Sequence, residues 1–204
     1  MYIPNHFKQE DIPVLLEFIR KNSFGILFSN YGEVPEATHL PFHVKQEGEN
    51  IMLTGHFAKA NPHWKTVNGK DVLVVFSGPH AYVSASWYEG KNNVPTWNYT
   101  AVHVYGQLEI VEDKGELLSM LAELSQFHEK EMEHSWNIEQ RTEYVHQLTT
   151  GIVGFKIHIM KLEGKWKISQ NKPEQERRNI IQGLRAQSRY DSREVADLIE
   201  RIKK

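Results

Sequence analysis

The sequence predicts a mainly β fold with added helices (α+β), in which an antiparallel sheet curls toward a barrel. Three observations carry this. Short alternating runs are separated by polar or glycine turns, one long extended run spans Val94 to Ile110, and an amphipathic helix at Lys114 to Glu131 interrupts the strands. With 204 residues, 40% hydrophobic and 25% charged, the chain fits one large globular domain or a domain with a small appendage.

In order, Asp11 caps a helix whose apolar positions Ile12, Leu15, Phe18 and Ile19 follow a helical stripe. Phe24 to Ser29 reads as a strand, Asn30-Tyr31-Gly32 as a turn, and Ala37 to Val44 as the strand that pairs back. Glu47 to Asn50 is a second turn, into a strand at Ile51 to Thr54. Val72 to Gly78 reads as a buried strand, Pro79 to Tyr88 as a further strand and loop, and Glu89 to Asn93 as a polar turn. After the 114–131 helix, with Leu117, Met120, Leu121, Leu124 and Phe127 on one side, Ile138 to Gln147 reads as another helix. Ile152 to Leu162 alternates as a strand, Glu163-Gly164 reads as a turn, and Lys165 to Gln170 as one more strand. Pro173 opens a helix with Ile180, Ile181 and Leu184, and Asp191 or Ser192 caps a last one with Val195, Leu198, Ile199 and Ile202.

Composition excludes several classes. A formal charge of -2 and a pI near 6.6 give no basic field, so DNA binding would need a local patch. The absence of cysteine removes disulfides, thiolate catalysis and cysteine-ligated metals. MYIPNHFKQEDIP carries neither a basic leader nor an apolar segment, and the longest aliphatic run, Val72 to Phe76, is far too short for a bilayer. The expectation is a soluble, cytoplasmic chain with no membrane contact. No GxGxxG or GxxxxGK[ST] supports a Rossmann or P-loop nucleotide site.

The stretch that carries most chemistry is VPTWNYTAVHVYGQLEI. Alternation puts Trp97, Tyr99, Ala101, His103 and Tyr105 on one strand face, and Thr96, Asn98, Thr100, Val102, Val104, Leu108 and Ile110 on the other. The second face turns into core. The first holds more amphipathic rings than ordinary core and suits a planar aromatic ligand or a partner subunit. Two places suit an anion. In GHFAKANPHWK, Asn61 is an N-cap, Pro62 fits a first helical turn, and His56 and Lys59 lie just upstream; a capped connector with solvated basic residues is the plain alternative. In KWKISQ, Lys165, Lys167 and Ser169 share a face opposite Trp166 and Ile168, as a phosphate site or as an edge strand protected by lysines.

The eleven histidines show no HExxH or other helix-spaced pair, and no Ser sits in a GxSxG elbow, so neither a metal centre nor nucleophilic catalysis is indicated by spacing. The two tail helices, richer in Lys and Arg than in Asp and Glu, also admit a helix-turn-helix reading, although nothing marks a recognition helix.

The segments THLPF (38–42), GHFAKANPHW (55–64), SGPHAYVS (77–84), SWY (86–88), VPTWNY (94–99) and KWKISQNK (165–172) resemble the PaiB-type FMN-binding negative transcriptional regulators, in order and along the whole chain. The resemblance implies an FMN-binding split barrel over 1–172 with a helical insertion near 114–149, and a helical extension at 173–204 packed on the barrel or on a dimer. It implies a homodimer with FMN at the subunit interface, and repression of protease production and sporulation, directly on DNA or through a regulatory protein. By position, Thr38, His39 and Leu40 would offer backbone groups to the isoalloxazine edge. His56, Lys59 and Asn61 would meet the ribityl phosphate, Lys167, Ser169 and Gln170 would approach from the late strand, and Trp97 and Tyr99 would border the ring. On the same resemblance His103 and Tyr105 would face the other subunit. The related pyridoxamine-phosphate oxidases use arginines at the phosphate; here those positions hold His and Lys. No catalytic residue or metal ligand is assigned. The alternatives are a flavin-dependent oxidoreductase acting on NAD(P)H or a small substrate, and a barrel for another planar anion or haem.

Overall fold

The computed structural model describes residues 1–48, 50–90, 93–134, 136 and 142–202. Its strands are β1 (Lys8–Gln9), β2 (Phe24–Ser29), β3 (Glu36–Pro41), β4 (His43–Glu47), β5 (Asn50–Ala58), β6 (Lys70–Val83), β7 (Thr96–Val111) and β8 (Ile152–Lys167). They hydrogen-bond in the order β3-β2-β6-β7-β8-β5-β4, with β1 added to β8. β2 pairs antiparallel with β3 and β6, β5 with β4 and β8, and β1 with β8. The helices are α1 (Ile12–Lys21), α2 (Trp64–Val67), α3 (Lys114–Glu129), α4 (Thr142–Leu148), α5 (Glu174–Arg185) and α6 (Ser192–Glu200). This is the mainly β, antiparallel fold with added helices that the patterning predicts. No described helix is long and apolar enough to cross a membrane.

Local chemistry explains the elements. The Asp11 carboxylate accepts the Val14 N–H at 3.2 Å and starts α1, which buries Leu15, Leu16 and Ile19. Asp113 does the same for α3 through the Glu116 N–H at 2.7 Å.

Several boundaries differ from the sequence expectation, each for a physical reason. Residues 37–44 are two strands rather than one, because Phe42 leaves the ladder for the core. It is 1% exposed, and its ring meets Phe76 at 5.4 Å and Phe155 at 5.9 Å. Pro41 also lacks the N–H that a continuing ladder needs. The break sends β3 and β4 to opposite ends of the strand order. Residues 70–83 form one strand through Gly78-Pro79, since the residue before proline favours extended backbone. Glu163-Gly164 is no turn: β8 runs straight through it. The glycine is there for close approach, because a Cβ on it would lie 2.3 Å from Leu15 Cδ2 and 2.8 Å from the Gln9 carbonyl oxygen. Lys165 to Gln170 is also no separate strand: Lys165 to Lys167 are the end of β8, where Lys165 pairs with Lys8 of β1, and Ile168 to Gln170 lie beyond it. Of the helix expected at 138–147, residues 142–147 lie in α4, and 138–141 fall outside the described residues. The turns expected at 47–50 and 89–93 contain Glu49, Lys91 and Asn92, also outside them.

The chain divides into two compact units, one of Met1–Leu15, Ser77–Val102 and Glu163–Lys204, the other of Leu16–Phe76 and His103–Leu162. In the first, Ile180, Leu184, Val195, Ala196 and Ile199 of α5 and α6 pack on Ala81, Val83, Tyr88 and Ile168. Their apolar faces are thus spent on a core, and Arg185 joins the two helices through Asp197 and Glu200 at 2.8 Å each. The second unit has its own aromatic centre, Phe42, Phe57, Phe76 and Phe155, each 1% exposed or less.

Candidate functional site

In the first unit, strand alternation brings together the late lysines and the aromatic run. Lys165 is only 8% exposed. Its ammonium donates to the Tyr2 carbonyl oxygen at 3.0 Å and lies over the rings of Tyr99 at 5.2 Å and Tyr2 at 5.7 Å. Lys167, two positions on and on the same face, donates to Thr96 Oγ1. Burial, and then the Lys165 charge, hold its pKa below the ordinary lysine value. Among the described residues neither ammonium pairs with a carboxylate. Ser169 has a left-handed backbone (φ 62°) and exchanges hydrogen bonds with the Asn98 amide at 2.9 and 3.3 Å. Gln170 spends its side chain on the turn, accepting the Ile168 N–H at 3.0 Å and donating to the Trp166 carbonyl. Trp97 is 42% exposed and packs against Tyr190 (ring centroids 4.9 Å), Tyr82 (5.9 Å) and His80 (6.2 Å). Such a group can bind a dianion at the lysines beside an open aromatic surface.

The second unit holds Thr38, His39, Leu40, His56, Lys59 and Asn61, and joins only some of them. Thr38 Oγ1 lies 2.8 Å from His63 Nδ1 and accepts from the Asn61 amide at 3.2 Å, while His63 Nε2 lies 2.8 Å from Ser29 Oγ. His63 is fully buried. Burial lowers its pKa, with Glu36 opposing, so the ring is neutral and one nitrogen donates while the other accepts. In the sequence His63 is one of several histidines without an assigned role and Ser29 only the end of a strand; the Asn-Pro-His spacing is the local signal, since Asn61 Oδ1 accepts the His63 N–H at 3.0 Å. That bond, and the single turn of α2, leave little of the helix-end anion site expected there. Leu40 is 7% exposed, His39 is exposed beside Phe24, and Lys59 is exposed. His56 is set apart. Its neighbour Phe57 meets the His63 ring at 5.7 Å, so His56 points to the other face of β5, into a cavity with α3 and α4. His103 and Tyr105 also belong to this unit, their rings 6.3 Å apart.

Three histidines here share a property: burial is the leading cause that lowers the pKa of His43, His56 and His63. The unfolded chain therefore takes up protons first as pH falls. Stability should be full above about pH 6.5 and decline as pH drops from there toward the folded-state values. Urea midpoints between pH 7.5 and 5.0 test this, and His63→Gln should flatten the slope. A midpoint independent of pH in that window would refute it.

Comparisons with known proteins agree with this architecture. Residues 1–161 match the family described as "Putative FMN-binding domain". Lys165 to Gln170 lie just beyond that match. The chain is 38% identical over 203 residues, 98% of this chain and 97% of the other, to the protease synthase and sporulation protein PAI 2 of Bacillus subtilis. Among solved structures, a conserved hypothetical protein, Rv2991, of Mycobacterium tuberculosis superposes with a TM-score of 0.58 at 12% identity, over 85% of this chain and 95% of that one. The flavocytochrome Anf3 of Azotobacter vinelandii gives 0.56 at 15% identity, over 81% and 72%. These distant likenesses speak to the fold, an antiparallel split barrel, and the sequence matches to descent: the chain belongs to the PaiB-type family of FMN-binding-domain proteins.

Proposed function

We propose that this protein is a cytoplasmic, homodimeric FMN-binding regulator that restrains protease production and sporulation, acting on DNA or through a regulatory protein. The observation that carries the flavin reading is the pair Lys165 and Lys167 beside Tyr99, with no carboxylate partner among the described residues. A buried ammonium without a counter-charge is costly, and a phosphate dianion is the ligand that relieves it. In this reading the lysines hold the phosphate, Trp97 and Tyr99 border the ring, and Ser169 and Gln170 fix the turn that presents Lys167. Within the second unit taken by itself, β3 ends the strand order, and its backbone groups at Thr38, His39 and Leu40 suit the rim of an isoalloxazine. His103 and Tyr105 face the second copy. Bound flavin would supply reversible electron uptake, which lets redox state bias the dimer.

The test is a visible spectrum after FMN is added and unbound flavin removed, paired with sizing, and then DNA binding to control regions with and without flavin. A flavin band that co-elutes with a dimer supports the reading. Flavin that washes off at micromolar protein refutes it, and absence of both sequence-selective DNA binding and any transcriptional effect of deletion refutes the regulatory part. Trp97→Ala should weaken FMN binding about tenfold, by loss of ring contact, while sizing shows the dimer intact. A dissociated dimer with unchanged flavin affinity would reverse that assignment.

A further inference from the structure

α3 carries its apolar stripe further than the core can use. Leu117 and Met120 are buried, but Leu121 and Leu124, one turn on, are only partly covered. With Val145 of α4 and Ile152 of β8 they line a cavity of about 350 Å³. Tyr144 and Leu148, 61% and 55% exposed, form its rim. Protein interiors hold few voids larger than a water, and a dry apolar cavity of ~150 Å³ already takes benzene. This one lies within the range of small-molecule sites, ~300–1,000 Å³.

The lining also sets the ligand's polarity. Among the described residues no Lys, Arg, Asp or Glu contributes to it. A charged ligand would lose its hydration and find, among the described residues, no permanently charged side chain, only the imidazoles of His56 and His128. The polar points are few, and His56 is the one on the sheet floor. Its ring makes no hydrogen bond to any described residue, and burial keeps it uncharged at neutral pH. It therefore offers one N–H and one lone pair to whatever enters.

We propose that the cavity formed by α3, α4 and the His56 face of β5 is a second small-molecule site, which takes an uncharged aromatic compound of two or three rings bearing one N–H or O–H group. Its residues are different ones from the proposed phosphate anchor at Lys165 and Lys167, and neither reading depends on the other. A regulator of this build would sense an apolar metabolite there, independently of flavin.

The probe is N-phenyl-1-naphthylamine, which is uncharged, has three aromatic rings and one N–H, and brightens in apolar surroundings. The full-length protein should bind one probe per chain, saturably, with and without saturating FMN. Leu124→Trp should fill the cavity and abolish the signal. Leu148→Glu, a change at the exposed rim that leaves the core untouched, should weaken binding at least tenfold. His56→Phe should weaken N-phenyl-1-naphthylamine about fivefold yet leave 1-phenylnaphthalene, which lacks the N–H, unaffected. Each variant is accepted only with wild-type circular dichroism and thermal midpoint. No saturable binding, unchanged binding in folded Leu148→Glu, or displacement by FMN would overturn the proposal, the last by assigning the cavity to flavin.

Discussion

Lys167→Gln should lower the affinity for FMN by about 10- to 100-fold while leaving riboflavin binding unchanged. A hydrogen bond to a charged group contributes about 1.5–3 kcal/mol, and each ~1.4 kcal/mol is a factor of ten. Riboflavin has the ring and ribityl chain without the phosphate, so the ratio of the two affinities isolates the contact argued for Lys167. Flavin fluorescence quenching measures both. Equal losses for FMN and riboflavin would place the lysine elsewhere. pH offers an independent check, because burial and Lys165 hold the Lys167 pKa below the ordinary value. The charged form binds phosphate, so FMN affinity should fall on the alkaline side as Lys167 loses its proton, before an ordinary lysine would, and riboflavin affinity should stay level. Lys165→Met makes the complementary case. It keeps the apolar stem beside Tyr2 and Tyr99 and removes a buried charge that no carboxylate among the described residues balances. FMN binding should weaken, while the thermal midpoint of the flavin-free protein should hold or rise.

The candidate site was legible in the sequence where alternation alone decides it. Lys165 and Lys167 share a face because a strand has period two, and the same rule separates Trp97 and Tyr99 from Asn98 and Thr100; Ser169 lies beyond the end of β8 with a left-handed backbone, where alternation no longer applies. Partners between strands were not legible. Nothing local says that Asn98 meets Ser169, 71 residues away, or that Lys165 reaches back to Tyr2. Tight packing also imitated turn chemistry: Gly164 has the look of a turn glycine and serves close approach instead. Phe42 was read as a strand residue because hydrophobic alternation runs through it, and only the enclosed aromatic centre shows that it leaves the ladder. His56 and Asn61 lie five residues apart in one motif, yet they address opposite faces of β5 and its following loop, so grouping them by motif joined what the pleat divides.

Gly106→Ala should be the most damaging single-methyl change in the fold. A Cβ at this position would lie 2.4 Å from the His158 carbonyl oxygen, 2.6 Å from Ile157 Cγ2 and 3.1 Å from the His158 carbonyl carbon. Two of those atoms are backbone, so no rotamer relieves the contact. β7 would have to move off β8, and both are interior strands bonded on either side. Leu108 and Ile157, fully buried at the same level, would lose packing together. A cost of about 3 kcal/mol or more is expected, at the upper end for overpacking, read as a lower urea midpoint with unchanged slope. Gly69 supplies the control. It has a left-handed backbone (φ 69°) and nothing within 4 Å of an added Cβ, so Gly69→Ala meets only the conformational penalty, about 1–2 kcal/mol. Gly69→Asn should recover part of it, since Asn tolerates that conformation, whereas no residue larger than glycine should recover position 106. If Gly106→Ala cost less than Gly69→Ala, β7 and β8 would have to be further apart than the hydrogen-bonded order allows.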